Sequence, residues 1–205
     1  MANEILQAIR TRRVVRHMTA EPIDRAQLID VLHAARWAPS AGNRRLQRFV
    51  AVQRPDTVRL LRMVSPGMLQ HPAAVVVICI DWQRVAQYGM PRQNTGVYVD
   101  VGTALQTLLL AAHAIGLGAG PVTSFSKAAV RVILNLPDHL SPEALVCLGH
   151  PAPDGSPPMR TRGRITWQSL TDWERFPSTD PAADASSTTM QRPERGFPCA
   201  GGARW

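Results

Sequence analysis

The first residues along the chain that could bind a ligand are the arginines of the segment Arg12-Arg13-Val14-Val15-Arg16. In an extended chain alternate residues share one side, so Arg12, Val14 and Arg16 would point the same way. Two guanidinium groups on one side can converge on a single anion. The alternative is a solvated basic strand, and the segment alone does not decide between the two.

Two further segments suit a flat ligand. Pro39–Asn43 is a loop of small residues whose backbone amides can approach a polar ring closely, and Asn43 supplies both a donor and an acceptor. The stretch from Gly116 to Val122 has glycines at three alternate positions, as phosphate loops often do. However, it follows a predicted helix and precedes a strand, which is the reverse of the dinucleotide-binding order, so we reject a Rossmann fold.

The charge distribution favours a small anionic ligand over a nucleic acid. The chain carries 23 basic and 15 acidic residues, and residues 1–62 alone hold 12 arginines against five acidic residues. No exposed aromatic residues alternate with these arginines, as they would on a surface that stacks bases. A phosphorylated small molecule would account for the basic excess, and no nucleic-acid partner is expected.

Neither the cysteines nor the histidines predict a metal site or a nucleophile. Cys79, Cys147 and Cys199 are far apart and outside any Cys-x-x-Cys pattern, which excludes a disulfide framework and a zinc site. The first two lie in apolar runs, where buried, reduced thiols are the usual interpretation. The scattered histidines form no pair with a nucleophile, so we predict no catalytic side chain and no metal.

Hydrophobic patterning predicts alternating helices and strands. We expect helices before Thr11, after the capping-box residues Asp24 and Gln27, from Pro55 to Met63, from Val97 to Ile115 and after Ser126 to Leu134, and strands at 49–52, 73–80 and 144–148. The 97–115 helix is apolar nearly all round, which is typical of a helix buried on several sides. We predict that it forms the spine of the subunit and the seam of a dimer.

The chain length fits one α+β domain with arms. We place this domain at residues 1–176, with 150–176 as a C-terminal arm that could cross to a partner subunit, and a flexible tail at 177–205 because that segment is poor in large apolar residues. The longest apolar run, Ala73–Ile80, is too short for a membrane span, and no secretory signal is apparent. A cytoplasmic protein is therefore expected.

Taken together, these motifs resemble the nitroreductase superfamily over residues 3–176. The resemblance depends on the order and spacing of four elements: Arg12-Arg13-x-x-Arg16, Ala38-Pro39-Ser40-x-x-Asn43, the helix from Asp100-x-Gly102 to Gly118, and Arg160-x-Arg162-x-Arg164. It implies a three-layer α/β/α sandwich around a central, mainly antiparallel sheet. It also implies an intertwined homodimer that binds FMN at its interface.

The resemblance assigns a role to each matching residue. The residues that match contacts to the ribityl chain and phosphate are Arg12, Arg13 and Arg16, joined by Arg162 and Arg164 near the C-terminus. The residues that match contacts to the isoalloxazine ring, usually from the partner subunit, are Pro39, Ser40, Ala41 and Asn43. The residues that match the segment near the flavin N5 edge are Pro121, Val122, Thr123 and Ser124.

Several positions depart from the family pattern. Val14 replaces a frequent Ser, which removes one hydroxyl from the phosphate region. Arg45 and Leu46 stand where the family often has Gln-Pro, and Gln47 where it often has an aromatic residue. The pyrimidine edge of the ring would therefore be contacted differently in this chain.

The function that the resemblance implies is NAD(P)H-driven reduction of a nitroaromatic, a quinone or a similar planar acceptor. NADH or NADPH would deliver hydride to FMN N5 and leave before the acceptor occupies the same face, in a ping-pong mechanism. The alternatives are a flavin oxidase that desaturates a cyclic dipeptide, a flavin-fragmenting or dehalogenating member, and a flavin-binding module without turnover. The segment Trp82–Gln93 is the expected lid, and its Tyr88 and Met90 could face the substrate.

Overall fold

The fold is built on four antiparallel strands. The computed structural model describes residues 3–92, 94–153, 166–174 and 176. The strands are β1 (Gln47–Val52), β2 (Ala74–Asp81), β3 (Gly118–Val122) and β4 (Leu140–Gly149). They lie side by side in the order β1-β2-β4-β3.

The two central strands are buried on both faces of the sheet. Val76 and Ile78 of β2 face one core, whereas Val75 and Val77 face the other. This two-sided burial explains the unbroken β-branched run, because no residue of β2 needs to be polar toward solvent. The register with β4 shifts once, at Pro142 opposite Cys79, where a residue without an N–H is tolerated.

Helices cover both faces of the sheet. The helices are α1 (Glu4–Thr11), α2 (Arg25–Ala35), α3 (Pro55–Met63), α4 (Trp82–Gln87), α5 (Gly96–Ala114) and α6 (Lys127–Ile133). The core on one face includes residues of α2, α4 and α5, and the core on the other face includes residues of α3 and α6. The predicted α+β fold class, with three layers and an antiparallel sheet, is thereby confirmed within one subunit.

The ends of the helices follow local sequence signals. The Gln27 side chain accepts a hydrogen bond from the Asp24 N–H at 3.2 Å, as the capping box predicts. Ser126 Oγ accepts one from the Ala129 N–H at 3.3 Å at the start of α6. Pro55 occupies the first turn of α3, where its missing N–H costs nothing.

The glycine-rich segment differs most from the sequence prediction. We expected a loop followed by a strand, but Gly118–Val122 is itself the edge strand β3, paired with β4. Glycine here serves close packing: a Cβ at Gly118 would lie 2.8 Å from Val15 Cγ1, and one at Gly120 would lie 2.2 Å from Gln70 Nε2. Strand β4 also begins at Leu140, four residues before the predicted start.

Helix α5 is the longest element. By length and composition alone it could cross a membrane, and core helices of globular proteins also meet these two criteria. The sequence predicted no membrane span. Ala104, Leu108 and Ala112 are fully buried in the subunit. We therefore interpret α5 as a core helix.

The chain divides into two compact units, residues 1–158 and 159–205. The first contains the sheet and its covering helices. In the second, a 3-10 helix spans Trp167–Leu170, and the Trp167 and Trp173 rings meet edge to face with centroids 6.4 Å apart. The predicted domain limit at 176, with an arm over 150–176, stays a prediction.

We predict that the two central-strand thiols are unreactive in the folded protein. Burial raises the pKa of Cys147 to about 12, and burial together with the Glu143 carboxylate raises the pKa of Cys79 to about 12. Because only the thiolate reacts, iodoacetamide at pH 8 should leave both cysteines unmodified in native protein and modify both after denaturation. Peptide mass spectrometry gives the extents, and rapid native labelling of Cys79 would contradict its placement.

The same pKa shifts predict a loss of stability in alkali. Unfolded thiols ionise near their ordinary pKa of 9.0, whereas the folded ones stay protonated until about 12. The stabilisation is therefore complete below pH 9 and is lost as the pH rises toward 12. Denaturant midpoints of the wild-type protein should fall over this range, and less so in a Cys79→Ala/Cys147→Ala variant.

Candidate flavin site

The N-terminal arginine segment lies along the edge strand of the sheet. The Val15 N–H donates to the Ala119 carbonyl of β3 at 3.0 Å. Because Gly118 and Gly120 of β3 have no Cβ, the Val15 side chain and carbonyl can pack directly against this strand. The segment is therefore fixed against the sheet, which places Arg12 and Arg13 on the wall of a cleft of about 340 Å³ with Val15 and His113.

Arg12 has guanidinium atoms that lack a partner. Its Nε and Nη1 are buried and make no hydrogen bond within the described part of the chain. A buried, charged donor without an acceptor is costly, and an anion in the cleft would satisfy it. The residues present therefore fit the phosphate of a bound flavin nucleotide at this position.

The other two predicted phosphate arginines are placed differently. Arg13 Nη1 donates to the carbonyls of Arg10 at 2.6 Å and Arg12 at 3.0 Å, at the C-terminal end of α1. Arg16 is exposed and is not among the residues that line the Arg12 cleft. The predicted convergence of Arg12 and Arg16 is thus not formed by this cleft. Arg162 and Arg164 lie outside the described residues.

The segment Pro121–Ser124 continues from the end of β3. The Val122 side chain is buried in the core, so only its backbone can contact a ligand, whereas Thr123 and Ser124 are exposed. The Ser124 carbonyl accepts a hydrogen bond from the Gly67 N–H at 3.0 Å. A turn before β2 therefore supports the predicted N5-edge segment.

That turn carries two polar residues that the sequence reasoning missed. Ser65 Oγ and Gln70 Oε1 are buried and make no hydrogen bond to any described residue. Gln70 Nε2 lies 3.5 Å from the Val15 carbonyl, which ties the turn to the arginine segment. A buried glutamine cannot be distinguished from an exposed one by hydrophobic periodicity, and only its position just before a buried strand hints at a role.

The loop Pro39–Asn43 is held on the N-terminal half of α5. The Ala41 N–H donates to Asp100 Oδ1 at 3.0 Å, and Thr103 Oγ1 donates to the Pro39 carbonyl at 2.8 Å. Asn43 has a left-handed φ of 53°. Asp100 is only 4% exposed, and its Oδ2 has no partner among the described residues. Asp100 thus fixes the loop predicted to contact the flavin ring.

The two halves of the predicted site lie at opposite ends of α5. Thr11, next to the arginine segment, is hydrogen-bonded to His113 Nε2 at 3.1 Å. The loop Pro39–Asn43, which we call the ring loop, is hydrogen-bonded to Asp100 and Thr103. These anchor points are separated by 10 to 13 helical residues, or about 15–20 Å at about 1.5 Å per residue.

Comparison with known proteins assigns this arrangement to a family. The model of the Nitroreductase family matches residues 9–76 and 65–150, which include the arginine segment, the ring loop, α5 and the sheet. The chain belongs to the Nitroreductase family. The predicted family, fold class and class of enzyme, an FMN-dependent NAD(P)H oxidoreductase, are thereby confirmed.

The relatives of this chain carry several names. It is 30% identical to an NADH dehydrogenase of Thermus thermophilus over 73% of this chain and 87% of the relative. It is also 30% identical to a 5,6-dimethylbenzimidazole synthase of Rhodobacter capsulatus over 83% of this chain and 95% of the relative. A nitroreductase crystallised with FMN from Desulfovibrio desulfuricans is 29% identical, with a TM-score of 0.72 over 86% of this chain and all of the other.

We predict that Asp100 positions the ring loop. Asp100→Ala removes the acceptor of the Ala41 N–H, and a hydrogen bond to a charged group contributes about 1.5–3 kcal/mol. FMN binding, measured by quenching of flavin fluorescence, should weaken ~10-fold or more. Asp100→Asn keeps an oxygen in place and should restore most of the affinity. Equal weakening in both variants would show that the carboxamide cannot replace the carboxylate and that the contact to Ala41 is not the cause.

Proposed function

We propose that this nitroreductase works as a homodimer that transfers electrons from NAD(P)H through FMN to small planar acceptors such as nitroaromatics and quinones, in a ping-pong sequence. The observation that carries the proposal is that Nε and Nη1 of Arg12 are buried without a partner among the described residues, at one end of α5, while the ring loop occupies the other end. We interpret this division as the two halves of a site that is shared between two copies of the chain. The similarity to an NADH dehydrogenase supports a nicotinamide reductant.

The phosphate end of FMN would be held by arginines. Arg12 supplies buried donors, Arg13 lines the same cleft, and Arg16 lies on the same segment. We assign Arg162 and Arg164 to the same group. Several cationic donors around a dianionic phosphate give short, charge-assisted hydrogen bonds, which fix the position of the whole cofactor.

The ring end would be enclosed by two subunits. Pro39, Ser40, Ala41 and Asn43 of one copy would cover the ring, and Pro121–Ser124 of the other would contact its N5 edge. FMN, when bound, accepts a hydride and passes the electrons on, so the protein needs no acid or nucleophile of its own. The chain's own residues bind the cofactor, orient it and leave one face open to reductant and acceptor in turn.

Exposed apolar side chains support the homodimer. Ile5, Leu6 and Ile9 of α1 are exposed, with Ile5 at 70%, and so are Tyr98 and Val99 of α5. A second copy that packs antiparallel on α5 would cover this surface and bring the Arg12 end of one helix to the Asp100 end of the other. We further propose a cytoplasmic location and a domain that extends to residue 176.

A second candidate function is supported by relatives named 5,6-dimethylbenzimidazole synthase. The similarity to a 5,6-dimethylbenzimidazole synthase favours the flavin-fragmenting alternative, because that product contains the dimethylbenzene ring also found in isoalloxazine. In this case the flavin would be consumed. The two functions differ in what remains after turnover in air. An NAD(P)H oxidoreductase recovers its full flavin absorbance, whereas a flavin-fragmenting enzyme loses it.

We predict that the purified protein binds FMN and that NADH or NADPH bleaches it. Anaerobic titration should remove the flavin absorbance with one equivalent of reductant per FMN, and a nitroaromatic or a quinone should restore it. A flavin that nicotinamides do not reduce would contradict the proposal, and turnover of a peptide-like substrate without NAD(P)H would indicate the oxidase. Irreversible loss of absorbance on admission of air would indicate the flavin-fragmenting function.

We predict that Arg12 recognises the phosphate specifically. Arg12→Ala removes charged donors, so FMN affinity should fall ~10- to 100-fold, as expected for about 1.5–3 kcal/mol. Riboflavin, which lacks the phosphate, should bind both proteins equally. Arg25→Ala, at the exposed start of α2, is the matched control and should not affect FMN. An equal loss for riboflavin would place Arg12 elsewhere.

A further inference from the structure

A second group of arginines surrounds another cavity, at the end of the sheet where β1 begins. The cavity has a volume of about 550 Å³ and is lined in part by Asn43, Gln47 and Tyr88. Its size falls within the usual range for small-molecule pockets. Five arginines line it: Arg36, Arg44, Arg45, Arg48 and Arg84. We call this cavity the arginine pocket.

The charges of the arginine pocket are poorly balanced. Arg48 Nη2 lies 3.2 Å from Asp81 Oδ2, and Asp81 Oδ1 also accepts the backbone N–H of Arg84 at 3.0 Å. Within residues 3–92, 94–153, 166–174 and 176, no other carboxylate comes within 4.0 Å of the five guanidinium groups. Cations gathered around one cavity repel one another, and a bound anion would remove that cost.

Two buried polar groups in the wall lack hydrogen-bond partners. Arg45 adopts a left-handed φ of 49°, and its N–H donates to Ser40 Oγ at 3.1 Å. Its Nε is buried and has no acceptor in the described part of the chain. Gln47 is only 6% exposed, and its Oε1 has no donor there either. An anion in the pocket would accept a hydrogen bond from Arg45 Nε, whereas Gln47 Oε1 needs a donor, such as a hydroxyl group of an organic ligand.

One wall of the pocket suits an aromatic ring. Arg44 Cζ lies 4.7 Å from the centroid of the Tyr88 ring, and Arg44 Nη1 contacts Met90 Sδ at 3.2 Å. The guanidinium plane and the Tyr88 ring offer flat surfaces beside the charged groups. Asn43 joins this wall to the ring loop, so a ligand that fills the pocket would extend toward the proposed flavin ring.

We propose that the arginine pocket binds the phosphate groups of an organic phosphate other than FMN. That the other end of this ligand lies beside the flavin rests on the proposed function, but the anion site itself does not. Two sources share this chemistry: the phosphates of a nicotinamide dinucleotide, and a phosphorylated acceptor. No residue that lines the Arg12 cleft also lines the arginine pocket, which shares Asn43 with the predicted contacts to the flavin ring.

The binding test uses inorganic pyrophosphate as the probe. Calorimetric titration of FMN-saturated protein at low ionic strength keeps the Arg12 cleft occupied by its own phosphate. We expect one saturable site per chain, weakened at least ~10-fold in Arg36→Gln/Arg84→Gln and unchanged in the matched variant Arg25→Gln/Arg59→Gln. Retention of FMN shows that each variant is folded, and Arg44→Gln replaces the double variant if that protein loses FMN.

Steady-state kinetics identify the source of the phosphate. If it is the reductant, pyrophosphate competes with NADPH and NADH, and the pocket variant raises the KM for both. If it is the acceptor, pyrophosphate competes with the phosphorylated acceptor and inhibits uncompetitively toward either nicotinamide. The absence of saturable pyrophosphate binding, or equal binding by the pocket and matched variants, would overturn the proposal. A protein that binds pyrophosphate but not FMN would instead contradict the proposed function and still support an anion site in the arginine pocket.

Discussion

The fixed rise of α5 is the constraint on which the proposed site depends. Its Asp100 end holds the ring loop through a buried carboxylate, and its His113 end lies against the arginine segment. A helix cannot shorten, so these two groups stay about 15–20 Å apart in every copy of the chain. In the proposed dimer, FMN would take its phosphate contacts from one copy and its ring contacts from the other. The exposed apolar residues of α1 and α5 provide the surface for such a contact.

Much of the fold could be predicted because burial leaves a periodic trace. The run at 73–80 identifies a strand covered on both faces, and the capping residues Asp24, Pro55 and Ser126 locate three helix starts to within a residue. Strand β3 could not be predicted, because its glycines are dictated by neighbours that are distant in sequence. Val15 and Gln70 fill the space where side chains of β3 would otherwise lie.

The site was predicted less completely than the fold, for a related reason. Motif order identified the arginine segment and the ring loop, but it could not show that Arg12 is the arginine of that segment whose Nε and Nη1 are buried without a partner among the described residues. In the sequence Asp100 is recognisable only as part of a helix motif, and its contact with Ala41 becomes visible only in three dimensions. Arg45 and Gln47 entered as departures from the family pattern and lie on the wall of a second cavity.

A heterodimer with a different defect in each subunit tests the shared site most directly. Subunits that carry Arg12→Ala can be co-expressed with differently tagged subunits that carry Asp100→Ala, and the mixed dimer isolated through both tags. If each site takes its phosphate arginines from one copy and its ring loop from the other, one site carries both changes and the other carries none. We expect one FMN per mixed dimer bound with wild-type affinity. Two weakened sites, one with each defect, would place both halves in one subunit and contradict a shared site.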